Sequence, residues 1–189
     1  MLLLNVSDIH FNHPNCNGPM DPDKPFRTRL IQDARHRCQT LGNVDAILVS
    51  GDIAYKGHGD EYKAAYQWLK ELADACGCPL ERLFVIPGNH DVDRNIARAD
   101  TAVRNVHSVL ASAQSDHREG ELRAQFGQFD TGHALLKPIT KYNEFAAKFS
   151  CQVYPTEKLF WHQDIPIDAH TILRIYGLTS TLLSGIGRL

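Results

Sequence analysis

Three short clusters hold the side chains best suited to chemistry in this chain: Asp8-Ile9-His10, Gly51-Asp52 and Gly88-Asn89-His90-Asp91. Oxygen and imidazole donors together suit Mn2+, Fe, Zn2+ or Ni2+ better than a thiolate-rich set would. In an extended segment Asp8 and His10 point the same way while Ile9 turns back to the core, so the first cluster could present two ligands to one ion. Taken singly, D-x-H and G-D are too common to mean much. G-N-H-D is expected by chance in about one chain in a thousand of this length. All three in order, each at the end of an apolar run, go well beyond coincidence. The plainer alternative is that these Asp and Asn residues only cap the turns and helices that follow. It accounts for one member more readily than for the set.

The elements that must position these groups follow from the hydrophobic pattern. Leu2 to Val6 reads as a buried strand stopped by Ser7-Asp8, Asp45 to Ser50 as a second, and Arg82 to Ile86 as a third, closed by Pro87-Gly88. Between them, Phe26 to Leu41 places Phe26, Leu30, Ile31, Ala34, Cys38 and Leu41 near helical spacing. Asp60 to Ala75 places Tyr62, Ala65, Tyr66, Leu69 and Leu72 on one helical face. Asn12 to Pro25, with four prolines, reads as a loop. Strand, helix, strand, helix, strand at this spacing predicts parallel strands joined by right-handed crossovers. The carboxyl ends of such strands converge on the ligand crevice of an open sheet, which would gather the three clusters. Residues 93 to 150 look largely helical, with segments near 97–113, 119–130 and 139–149. Two strand-like stretches follow, Lys158 to Ile167 and Thr171 to Leu178, the first limited to an edge or ended by Pro166.

With these flanks, Ser7-Asp8-Ile9-His10-Phe11, Val49-Ser50-Gly51-Asp52-Ile53 and Val85-Ile86-Pro87-Gly88-Asn89-His90-Asp91 resemble the calcineurin-like metallophosphoesterases. The likeness covers residues 1–92 strongly; beyond them only Ile175 to Ser180 resembles the family's next core strand. It implies an α/β fold with a layered β-sheet core flanked by helices. The expected arrangement is a core of 1–92 and 151–189, a helical insertion at about 93–150 and an incomplete carboxyl-terminal half. It also implies a two-metal site, with manganese the first expectation and Fe, Zn2+ or Ni2+ the alternatives. Asp8 and His10 would bind the first ion, Asp52 would bridge both, and Asn89 would bind the second and touch substrate. His90 would be the acid or phosphate-orienting group at the leaving oxygen, with Asp91 holding its imidazole. A bridging carboxylate sets two cations about 3.5–4 Å apart, where one clamp stabilises attacking and leaving oxygens together. Metal coordination also lowers the pKa of bound water toward neutrality, so that hydroxide is the nucleophile of an in-line attack. The implied activity is phosphoester hydrolysis, with a diester preferred, either a cyclic nucleotide or a nucleic-acid strand.

The family pattern continues with a further metal-binding His and a G-H-x-H segment. This chain holds neither beyond Ile175 to Ser180; Gly132-His133 is followed by Ala134-Leu135 and precedes that strand. The resemblance therefore implies that the 189 residues are the amino-terminal portion of a larger catalytic domain, or a truncated product, weakly active alone. It leaves open a second class of function, a metal- or nucleotide-binding sensor or assembly module without turnover.

Composition sets the outer bounds. Hydrophobic residues are 43% and charged residues 22% of the chain, which is globular and not disordered. A net charge of −2 excludes a polybasic module and lends no support to a long nucleic-acid footprint. No apolar run approaches the roughly 20 residues of a membrane span, and Met1 to Leu4 is too short for a signal peptide. Five scattered cysteines argue against a disulfide framework and for a reducing, cytoplasmic setting. His36, His107 and His117 read as solvated helix residues, and Cys76-Gly77-Cys78 as a helix ending. His13, His58 and Lys56 follow the ligand clusters closely enough to touch a substrate phosphate, or to be ordinary loop residues.

Overall fold

The computed structural model describes residues 1–153 and 160–184. It is an α/β structure built on a three-stranded parallel sheet, β1 (Leu3–Val6), β2 (Ala46–Ser50) and β3 (Leu83–Ile86), in the order β1-β2-β3. Register runs Val6 against Val49 and Val49 against Val85, so the three strands end level with one another. The two crossover helices are α1 (Lys24–Leu41) and α2 (Gly59–Cys76).

Helix α2 shows why the sequence folds this way. His58 caps its amino end, with Glu61 reaching back in a capping box, and Gly77 in the left-handed conformation closes it. Its inner face buries Tyr62, Ala65, Trp68, Leu69 and Leu72 against the sheet, each large apolar side chain contributing about 1.5–3 kcal/mol. Helix α1 departs from expectation. Ile31 is buried, but Phe26, Leu30 and Leu41 remain 65%, 50% and 61% exposed. Phe26 and Leu30 flank β1, an edge strand whose residues alternate between exposed and half-buried. Among the described residues none covers that flank. What anchors α1 is polar instead: Arg27 and Asp21 form a buried ion pair. The Arg27 carbonyl accepts from Trp68 Nε1 at 3.1 Å, and its guanidinium lies 4.3 Å over the Phe11 ring.

Residues 93–150 break into more helices than the three expected segments: α3 (Arg94–Ala99), α4 (Thr101–Ser112), α5 (Arg118–Phe126), α6 (Phe129–Leu136) and α7 (Thr140–Ala146). Asp100 is the cause of the first break. It ends α3 and caps α4, accepting from the Val103 amide at 3.1 Å. Helix α7 is tied to the sheet. Tyr142 donates its hydroxyl to the Val85 carbonyl at 3.0 Å, and Phe145 stacks on Tyr62. His107, expected in solvent, is buried on α4 with its neighbours Val103, Val106 and Leu110.

The last strands, β4 (Phe160–Pro166) and β5 (Ile172–Leu178), pair antiparallel as a separate two-stranded sheet. Lys158 and Leu159, the start of the expected strand, lie outside the described residues, as does the end of the chain past Ser184. The hairpin docks through Trp161, whose Nε1 donates to the Val85 carbonyl at 3.1 Å and whose ring lies against Phe84. Trp161 and Tyr142 thus cover one outward carbonyl of β3, a strand that ends the parallel sheet. Among the described residues, no helix is long and apolar enough to cross a membrane.

Candidate metal centre

The three strand ends deliver their clusters to one edge. After β1 the chain runs alongside residues 51–53: Asp8 donates its amide to the Gly51 carbonyl at 3.3 Å, His10 to Asp52 at 3.0 Å and Phe11 to Ile53 at 2.9 Å. The segment is not extended, as the alternation argument supposed. Asp8, His10 and Asp52 all sit at left-handed φ, of 54°, 51° and 52°. Non-glycine residues there cost on the order of 1 kcal/mol or more each, and such strain gathers where side chains must be aimed. Here it is held by the inter-loop hydrogen bonds.

Two glycines permit the third cluster to join. A Cβ on Gly88 would meet Asp52 Oδ1 at 2.1 Å and the Asp52 amide at 2.3 Å, and a Cβ on Gly51 would meet Gly88 Cα at 2.9 Å. Only bare backbone lets these turns close, so G-D and G-N are steric requirements of each other. Across this contact His90 donates its amide to Asp52 Oδ1 at 2.9 Å.

As a result, ligand atoms of His10, Asp52 and His90 lie within 4.8 Å of one another. Asp8 joins from the rim, its Oδ1 3.8 Å from His10 Nε2. That gap is too long for a hydrogen bond and suits two donors of one cation. His10 Nδ1 is buried without a hydrogen-bond partner among the described residues. Mixed oxygen and imidazole donors beside an unsatisfied buried nitrogen fit a divalent cation. Asn89 is exposed on the short 3-10 turn of residues 89–91, beside His90.

The imidazole of His90 is held, though not by the expected group. Its Nδ1 lies 3.0 Å from the Tyr55 carbonyl, and the Tyr55 ring stacks on it with centroids 5.1 Å apart. A carbonyl only accepts, so Nδ1 carries the proton and Nε2 is presented outward. Tyr55 owes its place to the pairing of Phe11 with Ala54 and to its own amide, which donates to the Phe11 carbonyl at 3.0 Å. The signal lay three residues beyond Asp52, in a carbonyl that carries no residue-type signature.

Asp91 does something else. Its Oδ1 accepts from the Ala54 amide at 2.9 Å and the Tyr62 hydroxyl at 3.0 Å, and its Oδ2 accepts from the Gly88 and Ile53 amides at 2.9 and 3.2 Å. Both oxygens are occupied, so the carboxylate does not hold the His90 ring. It clamps the loop after β2 to the loop after β3. Burial pushes its pKa up to about 6 against the opposing pull of these hydrogen bonds. Gly132-His133 stays apart from the centre, on α6 with His133 against Phe129.

The family model for calcineurin-like phosphoesterases matches residues 1–182. The chain belongs to the calcineurin-like phosphoesterase family. A relative, the uncharacterised metallophosphoesterase-like protein YydB of Bacillus subtilis, is 25% identical over 158 residues, covering 82% of this chain and 29% of its own length. Three more are named probable cyclic nucleotide phosphodiesterases. That of Vesicomyosocius okutanii is 38% identical over 95 residues, covering 50% of this chain and 35% of its own length. That of Coxiella burnetii is 33% identical over 86 residues, covering 46% and 30%. The chain therefore spans about a third of the length of the curated relatives it matches. The family match runs through α3 to α7 and the hairpin as well as the first three strands.

Proposed function

We propose that this chain carries the metal- and phosphate-binding face of a phosphodiesterase acting through two divalent cations, manganese first among them. The observation that carries the reading is the convergence of His10 and Asp52, as donors to a cation, with the His90 imidazole from a third strand end and Asp8 adjoining. Asp8 and His10 would hold one ion, Asp52 would bridge, and Asn89 would hold the second and meet the phosphate. When bound, the cations lower the pKa of coordinated water and neutralise charge on the phosphate.

The chain's own residues supply the rest. Tyr55 fixes the tautomer and ring plane of His90, leaving Nε2 to face the site. In its imidazolium form, with a second proton on Nε2, His90 would give the Nε2 proton to the departing oxygen and return to the neutral ring, so the leaving group departs as the neutral alcohol. Asp91 holds the two loops at the separation the bridge needs. Three relatives bear the name probable cyclic nucleotide phosphodiesterase, which supports a diester, and a cyclic nucleotide before a long nucleic acid. Five unpaired cysteines support a reducing, cytoplasmic setting.

Hydrolysis of bis-p-nitrophenyl phosphate with Mn2+, set beside p-nitrophenyl phosphate, tests the reading. Wild type should favour the diester, and Asp52→Asn and His90→Ala should each lose turnover by about 100-fold or more. Turnover unchanged in either variant overturns it. Mn2+ binding with no turnover in any form would favour the non-catalytic module.

A further inference from the structure

A second group of ligands shares no residue with the centre. Glu61, wholly buried, accepts three backbone amides: His13 at 2.9 Å, and Lys56 and His58 at 3.0 Å each. It thereby ties the loop after β1 to the loop before α2 and sets two histidines face to face. Their rings stack with centroids 4.1 Å apart and planes 19° from parallel. Asp60 completes the group. Its Oδ2 lies 3.7 Å from His13 Nδ1 and 3.8 Å from His58 Nδ1, while its Oδ1 accepts from Lys63 at 2.7 Å.

These separations decide the chemistry. Both exceed hydrogen-bond length, so the carboxylate bonds neither ring directly. Two donors about 2.0–2.1 Å from a tetrahedral zinc ion stand about 3.4 Å apart, close to the spacing found. His58 Nδ1 accepts from the Asp60 amide at 3.2 Å, so it carries a lone pair and not a proton. An ion would compete with that amide for the same lone pair, loosening the first turn of α2. His13 is 38% exposed at its side chain, so its ring can turn toward a shared point.

We propose that His13, His58 and Asp60 form a mononuclear site for Zn2+ or a similar borderline divalent cation, with the fourth position open. Two imidazoles and one carboxylate are the donor set such ions take when a position is left for water or an anionic oxygen. The site does not rest on the phosphodiesterase reading and survives its failure.

The test uses the full chain with Asp52→Asn, which weakens the first centre, titrated with Zn2+ by calorimetry and with Co2+ by visible absorption. The comparison adds His13→Ala and His58→Asn; the asparagine keeps a helix cap while removing the ring. The Asp52→Asn chain should bind about one Zn2+ and give the visible band of tetrahedral cobalt. The further substitutions should weaken that binding by more than about 100-fold, since loss of outer-shell partners alone costs ~10–100-fold, with the melting temperature kept. Equal binding in both chains, or no ion on the Asp52→Asn chain, overturns the proposal. Failure at the first centre shows separately, as no difference between wild type and Asp52→Asn.

Discussion

Replacing Asp91 by alanine separates the role expected for this residue from the one the structure gives it. The carboxylate accepts two buried backbone amides, from Ile53 and Ala54, the part-buried amide of Gly88, and the Tyr62 hydroxyl. Tyr62 retains a partner, since it also donates to the Asp91 carbonyl at 3.2 Å. Orphaning these three amides, two buried and one part-buried, costs about 1–3 kcal/mol each, or about 6 in all. Against this, the variant escapes the cost of burying a charge. A pKa of about 6 in the fold, against 3.8, corresponds to about 3 kcal/mol above pH 6. The hydrogen bonds win, and Asp91→Ala should lose about 3 kcal/mol at pH 7.5 by urea denaturation. The pH dependence has a fixed sign. Because the folded pKa is raised, wild type has most of this group's stabilisation below pH 4 and loses it as pH rises through 6. The deficit of the variant should therefore be widest near pH 4 and level off above 6. A loss under about 0.5 kcal/mol, the size of an ordinary surface change, would refute the clamp. So would a shifted His90 imidazole titration by NMR with stability unchanged, which is what a direct Asp91–His90 partnership predicts.

Two other substitutions probe separate features. Gly88→Ala would place a Cβ 2.1 Å from Asp52 Oδ1, so it should cost about 1–3 kcal/mol of stability and weaken Mn2+ binding by at least ~10-fold; unchanged affinity in a Mn2+ titration would show the contact to be relaxed at no cost. His107 is buried with neither ring nitrogen in good hydrogen-bond geometry among the described residues, although the nearby Leu182 backbone offsets part of the burial that lowers its pKa. Its pKa is lowered in the fold, so its stability is present above the unfolded value near 6.5 and is lost as pH falls below it. His107→Leu should gain about 1 kcal/mol at pH 7.5 and more at pH 5.5; equal melting-temperature differences at both pH values would refute this.

Much of the centre was legible because strand ends are marked by residue type. Apolar runs of four or five residues end in Ser7-Asp8, Gly51-Asp52 and Gly88-Asn89, and parallel pairing levels those ends. Convergence of the clusters follows from these facts and from the handedness of crossovers. What was not legible rests on groups without a signature. The partner of His90 is a backbone carbonyl, which every residue carries. The left-handed turns at Asp8, His10 and Asp52 invert the alternation that an extended segment would have, and nothing in D-I-H announces them. His107 shows the complementary failure: with Val103, Val106 and Leu110 it forms the inner stripe of α4, and histidine alone does not say which side of that stripe it falls on.

Asp91 shows how a residue can share a motif with His90 and bond to another part of the fold. Adjacency along the chain suggested that it served His90, yet successive residues of a tight turn point in different directions. His90 aims outward at the site, while Asp91 aims inward at the amides of Ile53 and Ala54, 38 and 37 residues away in sequence. An ionisable group buried there is costly, and an apolar side chain would be cheaper if only packing mattered. What a carboxylate alone provides is two oxygens able to accept from two loops at once, fixing the spacing of Asp52 against His90. The glycine at 88 and the aspartate at 91 then act on the same distance, one permitting the approach and the other holding it, which is why their substitutions should disturb the metal centre through stability and ion affinity together.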